Sequence, residues 1–195
     1  MTQAFMTDPA LLASLEGRQF IVLRPRAAVM DLYLEAQDAA RTILPPVVTY
    51  PNTGHVTLRG FAEPERVEDL KQAAREWAAE QAPIDLAVAA IDGFPPPFRI
   101  VVLRLARTPS LLAAYSGLTE TLNATDFTRV GELSLEDWVF HLSVAYGAEL
   151  SDDEWQAAHD SLTRVLPLLL QETVSDLEFV WFDGGEHREV IPLGG

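Results

Sequence analysis

His55-Val56-Thr57-Leu58 and His141-Leu142-Ser143-Val144 are the two stretches that decide how this chain is read. Each sets a histidine and a hydroxyl residue two positions apart inside a short apolar run. In an extended strand residues i and i+2 share a face, so each stretch projects an imidazole and a hydroxyl together. Val56 and Leu58, like Leu142 and Val144, then point the other way, into a core. One such pair in each half of a 195-residue chain predicts a duplicated arrangement with a shared two-histidine site.

Outward from the two pairs, the sequence repeats an order of elements. A strand is expected at Gln19–Leu23, and Val29, Met30, Leu32, Leu34, Ala39 and Ile43 carry helical spacing over 27–43 until Pro45-Pro46. After the His55 strand, Glu63-Pro64 opens a helix whose stripe is Val67, Leu70, Ala74, Trp77 and Ala78. Strands at 84–91 and 98–106 follow, joined by Asp92-Gly93-Phe94-Pro95-Pro96-Pro97. The second half predicts a helix over 109–123 from the Thr108-Pro109 signal, then the second histidine strand at 138–146. Ser151-Asp152-Asp153-Glu154 reads as a capping box that starts a helix running to about Gln171. Strands near 176–183 and 187–192, turned by Asp183-Gly184-Gly185, close the chain. Ahead of all this, Asp8 caps a short helix with Pro9 at its first position, and Gly17 ends it. The expectation is one bilobal domain over 1–195. It has an N-terminal arm at 1–18, a first lobe at about 19–92, a hinge at about 92–97 and a second lobe at about 98–193.

Composition narrows the function. With no cysteine, disulfides and thiolate metal sites are excluded. The first residues lack the basic and apolar regions of a signal peptide, and no apolar run approaches a membrane span, so a cytoplasmic location is the default. Fourteen basic residues stand against 29 acidic ones, a net charge of −15, and Lys71 is the only lysine. Residues 1–97 contribute −5 and residues 98–195 contribute −10. Gripping a long RNA or DNA normally takes a basic face, so the charge argues for a small phosphorylated or nucleotide ligand.

Two imidazoles on opposite sides of a phosphorus centre can divide acid–base work, one taking the nucleophile's proton and the other protonating the departing oxygen. A hydroxyl two residues along can hold a non-bridging phosphate oxygen in line. Such chemistry needs no metal when a histidine protonates the leaving alkoxide. No cofactor or metal is expected, because carboxylates with ligand spacing do not accompany the histidines. By strand parity Arg59 shares a face with His55 and Thr57 and is the candidate cation for the phosphate, while Tyr146 falls on the face opposite His141. Arg24 and Arg26 read as solvated or helix-capping, His159 and His187 as surface residues, and Trp77, Trp138, Trp155 and Trp181 as packing residues.

These residues resemble the paired His-x-Thr/Ser motifs of the 2H phosphoesterase superfamily, which includes the LigT-like 2'-5' RNA ligases and cyclic nucleotide phosphodiesterases. The resemblance spans roughly 19–192. The Phe20-Ile21-Val22-Leu23-Arg24-Pro25 strand and Ser151-Asp152-Asp153-Glu154 look like the YjcG-type branch. It implies an α+β fold of two pseudo-symmetric lobes, each an antiparallel sheet with flanking helices, around a central cleft. It also implies hydrolysis of a small cyclic phosphodiester such as a 2',3'-cyclic nucleotide. His55 and His141 would be the acid–base pair, in either assignment, and Thr57 and Ser143 the phosphate anchors. Where LigT-like members often carry a basic residue after the second motif, this chain has Ala145, Tyr146 and Gly147. A non-catalytic nucleotide or phosphometabolite-binding protein using the same cleft is the alternative, and an acidic interaction protein with a vestigial cleft is a third.

Overall fold

A computed structural model describes residues 4–194. In chain order the elements are α1 (Pro9–Leu15), β1 (Gln19–Leu23), α2 (Ala28–Ile43), β2 (Val56–Phe61) and, after a 3-10 turn at Pro64–Arg66, α3 (Val67–Ala79). Then come β3 (Ile84–Phe94), β4 (Ile100–Leu105), α4 (Pro109–Asn123), β5 (Arg129–Val130), β6 (His141–Tyr146) and α5 (Asp152–Leu162). The chain ends in β7 (Arg164–Val174), β8 (Asp176–Phe182) and β9 (Glu186–Pro192). Two antiparallel sheets result, one ordered β5-β2-β1-β8-β9 and the other β6-β4-β3-β7. The expected α+β class and the two-sheet layout are therefore present.

The division of the chain between the sheets differs from the one expected. β3, from the first half, pairs with β4 and β7. The C-terminal hairpin β8-β9 returns to β1. Each sheet thus draws strands from both halves, and the lobes are not 19–92 and 98–193. Residues 92–97 are no hinge between them: they form the end of β3 and the turn into β4 within one sheet.

The helix expected to reach Gln171 ends at Leu162. Its start is as read, since Ser151 and Glu154 close a reciprocal capping box. Residues 164–174 instead form β7, on the edge of its sheet. Pro167 is tolerated there because Leu166 to Leu169 loop out of the ladder, which resumes between Val88 and Leu170. The apolar run read as a helix face is in fact largely exposed: Val165, Leu168 and Leu169 all face solvent. Farther along β7, Glu172 caps α2 by accepting from the amides of Ala27 and Val29. A carboxylate at a helix N-terminus satisfies orphan donors and meets the positive end of the helix dipole.

One buried core runs through both sheets, joining Ile21, Leu23 and Leu58 to Leu86, Leu103 and Leu142. Within it, α2 buries Val29, Tyr33, Ala36, Gln37 and Ala40; of the apolar positions read as its stripe only Val29 is among them, and Leu34 and Ile43 are exposed. Gln37 ties the two histidine segments together. Its amide donates to the Pro51 carbonyl at 2.7 Å and to the Val144 carbonyl at 3.2 Å. A backbone bridge between Thr49 and Tyr146 adds a second tie. Gly54 lets the segment pass close enough, since a Cβ there would come within 2.9 Å of Leu142 and Tyr33.

Candidate active site

His55 sits just before β2 and His141 opens β6, on strands of different sheets. Both line one cavity of about 320 Å³, and so do Thr57 and Ser143. Thus the four residues expected to share a cleft are brought together. A more open hollow of about 520 Å³ lies by Tyr115, Thr119, Glu132 and Leu133, but it contains no histidine and no paired hydroxyl motif.

A β-bulge follows each hydroxyl. In β2 the register skips Leu58, so Thr57 opposes Val22 and Arg59 opposes Ile21. In β6 it skips Val144, so Ser143 opposes Val102 and Ala145 opposes Val101. An extra residue reverses the face of everything after it. Arg59 is therefore turned out of the cleft into the core, and Tyr146 is turned in, where it lines the cavity. Both parity readings are corrected by the same device. Arg59, 1% exposed, pairs with Glu132 at 2.9 Å and donates to Tyr115 and Thr119. We expect Arg59→Met to leave kcat/KM of the folded protein within a factor of about three while lowering its thermal midpoint. Tyr115 and Thr119 lose a charged donor while Glu132 keeps Arg129, so the expected cost is about 1–3 kcal/mol. A loss of activity without a loss of stability would return Arg59 to the site.

The two imidazoles have different surroundings. His141 Nδ1 lies 2.8 Å from the Val139 carbonyl, so Nδ1 carries the hydrogen and Nε2 is the nitrogen left for a ligand. Phe94 meets this ring edge-on. Burial lowers its pKa below the ordinary value, and the Val139 carbonyl works against that. His55 is half-buried with its Nδ1 enclosed and outside hydrogen-bond geometry, and Phe5 packs on its ring at 4.2 Å. Burial first, then the positive charge of Arg24 and the neighbouring His141, push His55 down to about 3. Burial raises the phenol of Tyr146 in turn. Both shifts favour the neutral imidazole at neutral pH.

Arg24, read as solvated, is buried. Its guanidinium forms two 2.8 Å bonds to Glu178 and one of 2.7 Å to the Thr53 hydroxyl, two residues before His55. Arg26 remains at the surface, paired with Asp176. His159 and His187 lie away from the cleft, on α5 and β9. Among the described residues, no three His, Cys, Asp or Glu side chains converge where they could hold a metal ion, and no helix is long and apolar enough to cross a membrane.

Two antiparallel sheets that each offer a His-x-hydroxyl strand to one cleft define a 2H phosphoesterase architecture. The chain belongs to the 2'-5' RNA ligase superfamily, whose sequence model matches residues 38–186. Solved structures share the fold. TT0787 of Thermus thermophilus is 19% identical with a TM-score of 0.66, over 91% of this chain and 98% of that one. Escherichia coli LigT complexed with 3'-AMP is 16% identical with a TM-score of 0.56, over 91% and 95%. Usb1 of Kluyveromyces marxianus is 14% identical with a TM-score of 0.53, over 92% and 100%. A search of curated proteins returns no significant match. Phosphoesterase-type chemistry is the activity class that this family supports.

Proposed function

We propose that the chain hydrolyses a small cyclic phosphodiester, such as a 2',3'-cyclic nucleotide, by paired-histidine acid–base catalysis without a metal. The observation that carries this reading is the convergence of both His-x-hydroxyl pairs on one cavity. His55, which burial and then the Arg24 charge hold neutral, is the base; His141, whose Nδ1–H is fixed by the Val139 carbonyl so that Nε2 faces the ligand, is the acid. His55 Nε2 takes a proton from water as its oxygen bonds to phosphorus. The bond to the departing ribose oxygen breaks, and that oxygen receives the proton from His141 Nε2. Thr57 and Ser143 donate to the non-bridging oxygens and keep the attack in line. The diester's negative charge, entering between two neutral rings, favours the proton that His141 needs.

The test is incubation with 2',3'-cyclic nucleotides and 2'-5' dinucleotides in EDTA, followed across pH. The productive free enzyme carries one proton, on His141. Because both pKa values lie below the ordinary 6.5, the plot of kcat/KM should rise as pH falls from 8 through 6. It should turn down only as His55 protonates, towards about 3. A profile centred near 7 would contradict the assignment. Binding of these nucleotides with no turnover would leave a binding protein using the same cleft.

A further inference from the structure

Apart from the main core, Phe5, Val22, Val180 and Phe182 form a second apolar cluster, with Leu12, Leu15 and Phe20 against it. Its sheet residues Phe20, Val22, Val180 and Phe182 all line the histidine cavity, so the cluster occupies the cleft face of the first sheet. The arm ahead of β1 supplies the rest of that wall through Phe5, Met6 and Leu15. Asp8 starts α1 by accepting from the amides of Ala10 and Leu11, and Gly17, at φ 72°, ends it.

The arm is docked by specific bonds. The Phe5 amide donates to Glu186 Oε2 at 2.8 Å, and the Phe5 carbonyl accepts from Asn52 at 2.7 Å. At the far end Gly17 donates to the Phe182 carbonyl at 2.9 Å, and Gly184 to Glu16 at 3.0 Å. The Phe5 ring packs against both the Arg24 guanidinium, at 4.1 Å, and the His55 ring, at 4.2 Å. Arg24 itself does not line the cavity, and no arginine or lysine is among the described residues that do. An extended ligand would need to bring a second phosphate onto apolar walls with no cation to receive it, which desolvation opposes. At about 320 Å³ the space lies at the small end of ligand pockets, which run from about 300 to 1,000 Å³.

We propose that the N-terminal arm is a wall of the site: Phe5 is a positioning residue for His55, and Phe5, Met6 and Leu15 limit the guest to a phosphodiester with one compact, uncharged substituent. The arm thereby selects a mononucleotide-sized cyclic phosphate over a chain that continues into a second phosphate. This inference rests on the phosphoesterase reading above and adds the size class of its substrate.

Phe5→Ala, Phe5→Leu and a chain lacking residues 1–7 are compared with the intact chain on two substrates. One is a 2',3'-cyclic mononucleotide, and the other a dinucleotide ending in a 2',3'-cyclic phosphate. The intact chain should favour the mononucleotide at least tenfold in kcat/KM. Phe5→Ala and the truncated chain should lose that preference, through a lower kcat on the mononucleotide and a lower KM for the dinucleotide; Phe5→Leu should retain it. An unchanged preference overturns the proposal, as does an equal rise on both substrates, which would make the arm a mere obstruction. If the intact chain turns over neither substrate, the hydrolytic reading fails. The wall is then read calorimetrically from Kd values for adenosine 3'-monophosphate and a 3'-phosphorylated dinucleotide. A ratio that collapses in Phe5→Ala supports it; an unchanged ratio, or no binding of either probe, overturns it. Should the truncated chain fail to fold by circular dichroism, Phe5→Ala decides.

Discussion

Replacing His55 or His141 by alanine should lower kcat/KM on a 2',3'-cyclic mononucleotide by about 10²–10⁴-fold in each case, the range of a positioned general acid or base. Both losses are expected at full folding, because each ring lines the cavity and is only partly buried. The two variants should also differ in their pH profiles. His55→Ala removes the limb that falls at low pH, and His141→Ala removes the rise between pH 8 and 6. Combined, the losses should fall well short of their product, since two groups that act as one unit are not additive. Turnover that survives either single replacement within tenfold would end the paired acid–base mechanism. The hydroxyls should matter less than the rings, and Thr57→Val and Ser143→Ala provide that comparison with minimal change in shape.

Glu178→Ala carries the largest expected loss of stability. Arg24 and Glu178 are 5% and 0% exposed, so neither can be rehydrated without opening the sheet. Arg26 and Arg188 each approach the same carboxylate at 3.6 Å, so Glu178 neutralises a cluster of guanidiniums. Its removal leaves the Arg24 charge buried with Thr53 alone from that set of partners. Breaking a buried pair in this way costs about 3–5 kcal/mol. With a urea slope of about 2 kcal/mol per molar for a chain of this size, the midpoint should fall by roughly 2 M. Arg24→Met combined with Glu178→Leu should recover most of that, because an apolar pair does not strand a charge. A midpoint shift below about 0.3 M for Glu178→Ala would show that the pair is not buried in solution.

The histidine strands, most helices and the capping box were legible because each rests on local spacing. His55 with Thr57, and His141 with Ser143, needed only two-residue parity. Arg59 and Tyr146 were misplaced because a single skipped residue, Leu58 or Val144, leaves no signature in an apolar strand. The 164–171 run looked helical because apolar residues outnumber polar ones there, and only edge position and a looped-out segment reconcile Pro167 with a strand. Arg24 and Glu178 meet across 154 residues, and Phe5 reaches His55 across a turn of tertiary structure. No local pattern encodes such meetings. The exchange of β3 and β8-β9 between the sheets is hidden for the same reason.

The paired bulges have one more effect. Counted from each histidine, Gly60 and Tyr146 occupy the same place, five residues on, after the same skip. One is a bare backbone against which the Phe20 ring and Val130 already crowd, so a Cβ there would lie about 3.0 Å from Val130. The other is a phenol projecting into the cavity. The two bulged strands thus end unlike each other: one closes in packed backbone, and the other sets a phenol on the cavity wall, so the two walls of the cleft are not copies of one another.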